Sequence, residues 1–399
     1  MSHGILGTSS VRLALHQLNR RFERLRHLQR RLRWPEISHF SAFGELHELP
    51  IAAAKRSSLH LASKSLSQDE LEYMVGFFDG DGYVSSQSNG SGCQLGIGQS
   101  SSHGEAMLLF LRAFGGGIYR LHSGKGTCKP SVQWIVCGTA ARNTAAKLGS
   151  IPSYKQQQHL IAAAQWPRDP HLRSALMLDL KRLKREPLQA EICCSWAYIA
   201  GFFDAEGCIS LPMRAQLRLE MSQNNLATLK SIQRFLLESE FAYTAPIYGQ
   251  GSGVYKLTVS QNLVSKGVLQ RLLCAGLCVK RKAAERALEI CTANYNTLRM
   301  ELVQISGNQA RYQRLDVVGR QRAIKISAAQ QRLKRSYASG DCPKTDELHQ
   351  QLVDLQRSHK LISAADRYAL LRQDIRSLLR QGAMIQKEHQ QPPVRNVNT

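Results

Sequence analysis

Two stretches of this chain combine residues that could hold metal ions. Residues 72–85 read EYMVGFFDGDGYVS, and residues 197–210 read AYIAGFFDAEGCIS, 125 positions further on. Each joins an apolar run of helical period to an Asp and then to a second acid set before a glycine. The acids are Asp79 and Asp81 in the first stretch, Asp204 and Glu206 in the second. The carbonyl end of a helix carries partial negative charge, so a carboxylate there costs about 0.3–1 kcal/mol. The same breach at equivalent points of a repeat indicates a site occupied by cations. Hard divalent cations take oxygen ligands, commonly one or two carboxylates completed by phosphate oxygens and water.

The strings MVGFFDGDG (Met74–Gly82) and IAGFFDAEG (Ile199–Gly207) resemble the signature of LAGLIDADG homing endonucleases, a family with single-chain members that carry two copies. The resemblance covers roughly residues 66–293. It implies an α+β fold of two tandem pseudo-symmetric αββαββα half-domains packed through their motif helices, here with helical N- and C-terminal extensions. It also implies a metal-dependent DNA endonuclease, a hydrolase that cuts both strands of a long target with Mg²⁺ (or Mn²⁺). In the family the acid before the motif's last glycine is the metal ligand, which maps to Asp81 and Glu206; Asp79 and Asp204 would brace the helix ends. Gly76, Ala200 and Gly201 supply the small residues that close helix packing needs. The family also places a Gln and a Lys near the reacting phosphate. The matching residues are Gln99 and Lys155 in the first half, Gln223 and Lys280 in the second. Lys155 lies 74 positions beyond Asp81, and Lys280 lies 74 beyond Glu206.

The elements that must position these residues repeat in order. In the first half the pattern predicts a helix over 71–79, strands at 83–86 and 94–99, and a helix over 105–114. Strands at 118–121 and 132–137 and helices over 139–148 and 155–165 follow. In the second half helices are expected over 195–204, 225–239, 264–274 and 280–292, with strands at 208–212, 216–223, 245–248 and 254–259. The expected domain limits are a basic extension over 1–65, half-domains over 66–165 and 193–293, a linker over 166–192, and a basic helical extension over 294–399.

Outward side chains of the strands could reach base edges in a major groove, as two-stranded ribbons do. Tyr83, Ser85, Gln87, Gln94, Arg120 and Gln133 are the candidates in one half; Ser210, Arg214, Gln216, Arg218 and Lys256 are those in the other. Strand alternation turns about half of such residues away from any one face. Because the halves differ here, the target is expected to be non-palindromic.

The 399 residues carry a net charge of +23 at pH 7, as a polyanion-binding protein does. Double-stranded DNA is the expected partner, with intron RNA as a second, and the chain is expected to act as a monomer. No run of eighteen apolar residues suggests a membrane span. The ten cysteines lack zinc-type spacing and read as small buried hydrophobes in a reducing compartment. Residues 12–33 hold eight arginines against one acid, Glu23, with apolar residues every three or four positions. That is the pattern of a transit peptide, pointing to a mitochondrion or chloroplast, with the nucleus as the other address; a basic helix that grips nucleic acid would share it. An intron RNA maturase, or a binding protein on the same scaffold that does not cleave, is the competing function. Both would leave the repeated acids without a task. Intein splicing is not expected, since the chain opens on its own Met and no terminal His-Asn precedes a splice residue.

Overall fold

The computed structural model describes residues 8–52, 66–86, 92–186, 192, 194–212, 216–251, 253–305, 311–339 and 342–386. In chain order the elements begin with α1 (Thr8–Arg31), β1 (Leu32–Arg33), β2 (His39–Ala42) and β3 (Glu45–Glu48). The first motif follows in α2 (Gln68–Asp81), with β4 (Gly82–Ser86), β5 (Cys93–Ser100), α3 (Glu105–Phe114), β6 (Gly117–His122) and β7 (Ser131–Cys137). Then come α4 (Gly138–Gly149), α5 (Gln156–Ala163) and α6 (Pro170–Leu183). The second motif lies in α7 (Trp196–Glu206), with β8 (Gly207–Ser210), β9 (Arg218–Gln223), α8 (Leu226–Glu238), β10 (Ile247–Gly249) and β11 (Tyr255–Val259). The chain continues through α9 (Asn262–Cys274), α10 (Arg281–Leu288), α11 (Tyr295–Ile305), α12 (Val317–Ser339), α13 (Cys342–Arg380) and β12 (Met384–Ile385).

Two compact units result. The larger comprises Ile37–His122 and Pro130–Gly307; the smaller gathers Met1–Glu36, Ser123–Lys129 and Asn308–Thr399.

The larger unit is α+β and repeats itself. Its four-stranded antiparallel sheets run β4-β5-β7-β6 and β8-β9-β11-β10, one order used twice. Each sheet turns alternate residues inward: Leu95, Ile97, Val132, Trp134 and Val136 in one, Leu219, Met221, Leu257 and Val259 in the other, all buried. The motif helix α2 starts on a capping box, in which the Ser67 hydroxyl accepts from the Glu70 amide and the Glu70 side chain accepts from the Ser67 amide. Such boxes satisfy two amides that the first turn leaves unpaired. At the same place in α7, the Ser195 hydroxyl accepts from the Tyr198 amide.

The two motif helices pack against each other backbone to backbone. A Cβ added at Gly76 would lie 2.0 Å from the Tyr198 carbonyl oxygen, and one at Gly201 would lie 1.9 Å from that of Tyr73. Only glycine admits this approach. Both helices run two residues further than the apolar pattern indicates, so that Asp81 and Glu206 are their last residues.

Other departures from expectation have local causes. The extension over 1–65 is not wholly separate from the first half. Ile37–Ile51 belongs to the larger unit, where the β2–β3 hairpin buries Phe40 and Ala42 in the main core and Ile51 exchanges two backbone hydrogen bonds with Ile118. Its short strands carry too few apolar residues to show a period. The span 166–192 holds α6, capped by Asp169 with Pro170 at the first helical position, a standard helix start. Gln216 precedes β9 and is not part of that strand. Gln87 and Arg214 lie outside the described residues.

In the smaller unit α1 and α12 both pack on α13. Phe22 and Leu32 are buried with Leu371, Ile375 and Leu378, and Ala329 and Leu333 with Leu352. The segment with the transit-peptide pattern is therefore also core: a cut after α1 would take Phe22 away from its partners on α13. No described helix is long and apolar enough to cross a membrane.

Gly76→Ala should lower the melting temperature by several degrees, since overpacking against fixed backbone costs about 1–3 kcal/mol or more and each kcal/mol shifts a domain of this size by about 2–4 °C. Gly249→Ala is the control. Its Cβ would meet only a Tyr255 ring carbon at 3.9 Å, and its melting curve should overlay that of the parent.

Candidate functional site

The paired motif helices end side by side, which brings their terminal acids together. A Cβ on Gly80 would meet the Ala205 Cβ at 2.4 Å and the Glu206 Cγ at 3.1 Å. Asp81 and Glu206 thus share one site although 125 positions separate them. Burial pushes the Asp81 carboxyl up, while the Lys280 and Lys155 ammoniums and the Gln99 hydrogen bond hold it down. Glu206 is also pushed up, first by burial and next by the charge of Asp81, with both lysines opposing. Gln99, at the end of β5, donates its side-chain amide to Asp81 Oδ2. Gln223 does not mirror it: its Oε1 accepts from the Asn224 amide at 2.8 Å. Among the described residues, nothing donates a hydrogen bond to the Glu206 carboxylate.

Asp79 and Asp204, two positions back, are almost fully buried, at 1 % and 0 % exposure. Each receives the amides that open a later helix. Asp79 accepts from Tyr154 N at 2.8 Å and Lys155 N at 3.0 Å, at the start of α5. Asp204 accepts from Cys278 N at 2.7 Å, Val279 N at 3.0 Å and Lys280 N at 2.7 Å, at the start of α10. Both carboxylates therefore sit at positive helix termini, where charge and free amides favour an anion. The bracing role expected of these acids matches their geometry.

Each carboxylate also takes a phenol from the other half. Tyr198 donates to Asp79 at 2.8 Å, and Tyr73 donates to Asp204 at 2.7 Å. Burial, and next the facing aspartate, hold each phenol well above its ordinary pKa, so it remains a donor. The sequence carried a signal for this reciprocal pair, because both repeats place Tyr at the same motif position.

Lys155 and Lys280 sit immediately before α5 and α10 with nearly the same backbone angles, φ −97° and −99° with ψ 9° in both. Neither is a solvated surface residue. The Lys155 ammonium donates to the carbonyls of Phe78 at 2.7 Å, Gly80 at 3.4 Å and Gly82 at 2.6 Å. The Lys280 ammonium donates to the carbonyls of Asp204 and, at 3.5 Å, Ala205. Both lysines therefore cover the negative ends of the motif helices. Burial lowers the Lys155 pKa to about 8 against the opposing pull of Asp79, Asp81 and Glu206; burial lowers that of Lys280 as well. With three donors engaged, Lys155 acts on the acids through its field.

The open faces of the sheets carry most of the candidate contacts. In the first sheet Tyr83 lies over Gly96. Its hydroxyl accepts from Gln94 at 3.2 Å and lies 3.4 Å from Gln133 Oε1, and Ser85 pairs with Gln94 on the same face. Arg120 pairs with Val132, whose side chain is in the core, so Arg120 leaves the sheet on the other side. Tyr119, opposite Gln133, takes its place on the open face. In the second sheet Ser210 pairs with Arg218, and Lys256 forms an ion pair with Glu220 at 3.6 Å. Gln216 is occupied by the Ser260 carbonyl at 2.7 Å.

The comparisons with known proteins bear on this repeat. The family model described as the LAGLIDADG-like domain matches residues 194–277. The matched span holds the second motif helix α7 and runs through α9, so this part of the chain is similar to a LAGLIDADG-like domain. No curated protein matches the sequence. Among solved structures, the meganuclease I-SmaMI bound to uncleavable DNA is similar at 12% identity and a TM-score of 0.44, over 60% of this chain and 99% of that one. The LAGLIDADG meganuclease I-AabMI bound to uncleaved DNA is similar at 14% identity and a TM-score of 0.42, over 59% and 96%. The LAGLIDADG homing endonuclease I-GzeII in complex with its DNA target is similar at 12% identity and a TM-score of 0.43, over 60% and 97%.

As for a donor set, among the described residues no cluster of three or more His, Cys, Asp or Glu could hold a metal ion. The motif acids offer two carboxylates, and hard cations accept a shell completed by phosphate oxygens and water. The two motif acids fit such ions: among the described residues nothing donates a hydrogen bond to Glu206, and the charge of Asp81 adds to burial in pushing its carboxyl up.

Tyr198→Phe should lower the unfolding free energy by about 1–3 kcal/mol, read as a lower urea midpoint at unchanged slope, since it removes a buried hydrogen bond to a carboxylate. Burial pushes the Asp79 carboxyl up while Lys155 and the Tyr198 phenol oppose it, so carbon-13 NMR should show Asp79 titrating at a still higher pH in this variant. An unmoved Asp79 titration would mean that the hydrogen bond is not made.

Proposed function

We propose that this protein is a metal-dependent, site-specific DNA endonuclease of the homing type, cutting both strands of a long non-palindromic duplex. The observation that carries the reading is the meeting of Asp81 and Glu206 at the paired ends of α2 and α7, with each carboxyl pushed up by burial and Glu206 also by Asp81. A buried pair of like charges at the negative ends of two helices asks for cations, and a phosphodiester brings the remaining oxygen ligands.

Asp81 and Glu206 would hold Mg²⁺ or Mn²⁺, one acid facing each strand. Bound there, the ions would lower the pKa of water and offset charge on the leaving oxygen. Gln99 fixes the orientation of Asp81. Lys155 and Lys280 supply a fixed positive field at the place where charge develops, which costs no reorganisation during reaction. The open sheet faces, with Tyr83, Ser85, Gln94 and Gln133 on one and Ser210, Arg218 and Lys256 on the other, would lie along the major groove. Their different chemistry supports a target without two-fold symmetry.

Asp81→Asn and Glu206→Gln should each abolish linearisation of a plasmid carrying the target, found by selection from a randomised library. Binding in Ca²⁺ should survive, because phosphate contacts elsewhere remain. Wild-type rates in either variant would overturn the ligand assignment. Intron RNA binding with no DNA cleavage by the parent protein would favour the maturase.

The pH profile should have two limbs. Cleavage should fall on the acid side at a higher pH than ordinary carboxylates would give, because both acids are pushed up and protonation removes the ligands. It should fall again above about pH 8 as Lys155 loses its proton. Stability should move the other way. Above pH 8 the unfolded chain keeps a lysine proton that the folded chain has released, so the unfolding free energy should rise between about pH 8 and 10. Single-turnover cleavage and denaturant melts on the same samples would separate the two effects.

A further inference from the structure

The net charge is unevenly shared between the units. The smaller unit holds 27 of the 53 Lys and Arg residues but only 10 of the 30 Asp and Glu residues. It therefore carries +17 of the total +23. The larger unit, with 26 cations and 20 anions, keeps only +6. Within the smaller unit the imbalance lies in two helices. α1 and α12 together contain 13 Lys or Arg and one acid, Glu23, whereas α13 contains seven cations and five acids.

The acids of α13 do little to neutralise these helices. Asp374 pairs with Arg311 at 2.7 Å, and Asp366 with Arg322 at 3.2 Å. Arg20, Arg24, Arg26, Arg332, Lys334 and Arg335 are exposed, and among the described residues none of them forms an ion pair. Self-repulsion of this kind destabilises a compact state, so a partner of opposite charge is the natural complement.

Membrane and nucleic acid are the two broad polyanionic surfaces. An amphipathic helix binds a bilayer by burying its apolar face in it. In α1 that face is already used, since Phe22 is buried and Leu25 and Leu28 pack with it against α13 residues. What α1 leaves exposed is its charged face. Its 24 residues span about 36 Å, roughly one turn of B-form DNA. A helix held along one side by α13 cannot enter the deep, narrow major groove of duplex RNA, but it can lie against the backbone of a DNA duplex.

We propose that the smaller unit is a second DNA-binding module, which grips the phosphate backbone of duplex DNA without reading its sequence through the exposed faces of α1 and α12. This goes beyond the cleavage reading and can stand or fall without it, since it concerns binding in the absence of any metal.

The test uses the full chain, a duplex of about 40 base pairs with an unrelated sequence, EDTA, and fluorescence anisotropy over a salt series. The variant Arg20→Gln/Arg24→Gln/Lys334→Gln/Arg335→Gln should lose about 0.9 in the log K–log salt slope for each contact removed. Its affinity at 0.1 M salt should fall by about tenfold or more. A charge-keeping variant, Arg20→Lys/Arg24→Lys/Lys334→Arg/Arg335→Lys, should retain the slope, which separates charge from folding. Arg234→Gln/Arg271→Gln in the larger unit should change it little. An unchanged slope and affinity in the four-Gln variant would sink the proposal. So would an equal loss in the two-site control, or RNA of the same length binding more than tenfold tighter than DNA and accounting for the whole loss.

Discussion

Two helix ends that ought to repel each other are held together, and the rest of the larger unit is organised around that contact. α2 and α7 approach so closely at Gly76 and Gly201 that no Cβ fits between them. Their carbonyl ends, each about half a negative charge, finish next to each other, and each ends on an acid. Lys155 and Lys280 answer the helix ends directly by donating to the last carbonyls. The charges of Asp81 and Glu206 remain, held down only in part by the two lysines. That remainder is what a pair of divalent cations would neutralise.

The sequence showed the repeat and its spacing well, because both come from local chemistry. Apolar period and glycine position placed α2 and α7; the family resemblance pointed to Lys155 and Lys280, and their shared interval of 74 positions from the motif acids agreed with it. The cross-half links were harder to read. Tyr73 and Tyr198 stand in both repeats, but only packing shows that each phenol reaches the aspartate of the other half. Arg120 looked outward from composition alone; its pairing with Val132 turns it to the other side. The β2–β3 hairpin went unseen because four-residue strands give too few alternations to stand out. It folds by adding Phe40 and Ala42 to a core that the repeats build. The N-terminal arginines could be noticed but not assigned, since a targeting helix and a packed basic helix share one pattern. Only the burial of Phe22 separates their physical settings.

The halves are copies in architecture but not in detail, and the differences lie near the acids. Asp81 is tied to Gln99, whereas Gln223 is turned to its own neighbour and Glu206 accepts no hydrogen bond from a described residue. Asp81 is therefore oriented by a hydrogen bond that its counterpart Glu206 lacks among the described residues. The open sheet faces diverge as well, with a hydrogen-bonded Tyr83–Gln94 pair on one and a Lys256–Glu220 ion pair on the other. A single chain permits this divergence, because each half can change its contacts without changing the other's.

Close packing through glycines leaves one problem that the apolar residues cannot solve. Apolar side chains alone would let two helices slip past each other by a turn, about 5.4 Å; the glycine contacts already resist that slip. After it the acids would no longer be level. The reciprocal Tyr–Asp hydrogen bonds oppose this, since a slip would break both, each at a cost of about 1–3 kcal/mol, while the carboxylates keep only the amides of their own half. Those carboxylates also hold the first amides of α5 and α10, and thereby the lysines that precede them. One buried network thus sets the register of the motif helices and the position of the charges that balance their ends. Asp79 and Asp204 bring Asp81 and Glu206 level without having to touch a substrate themselves.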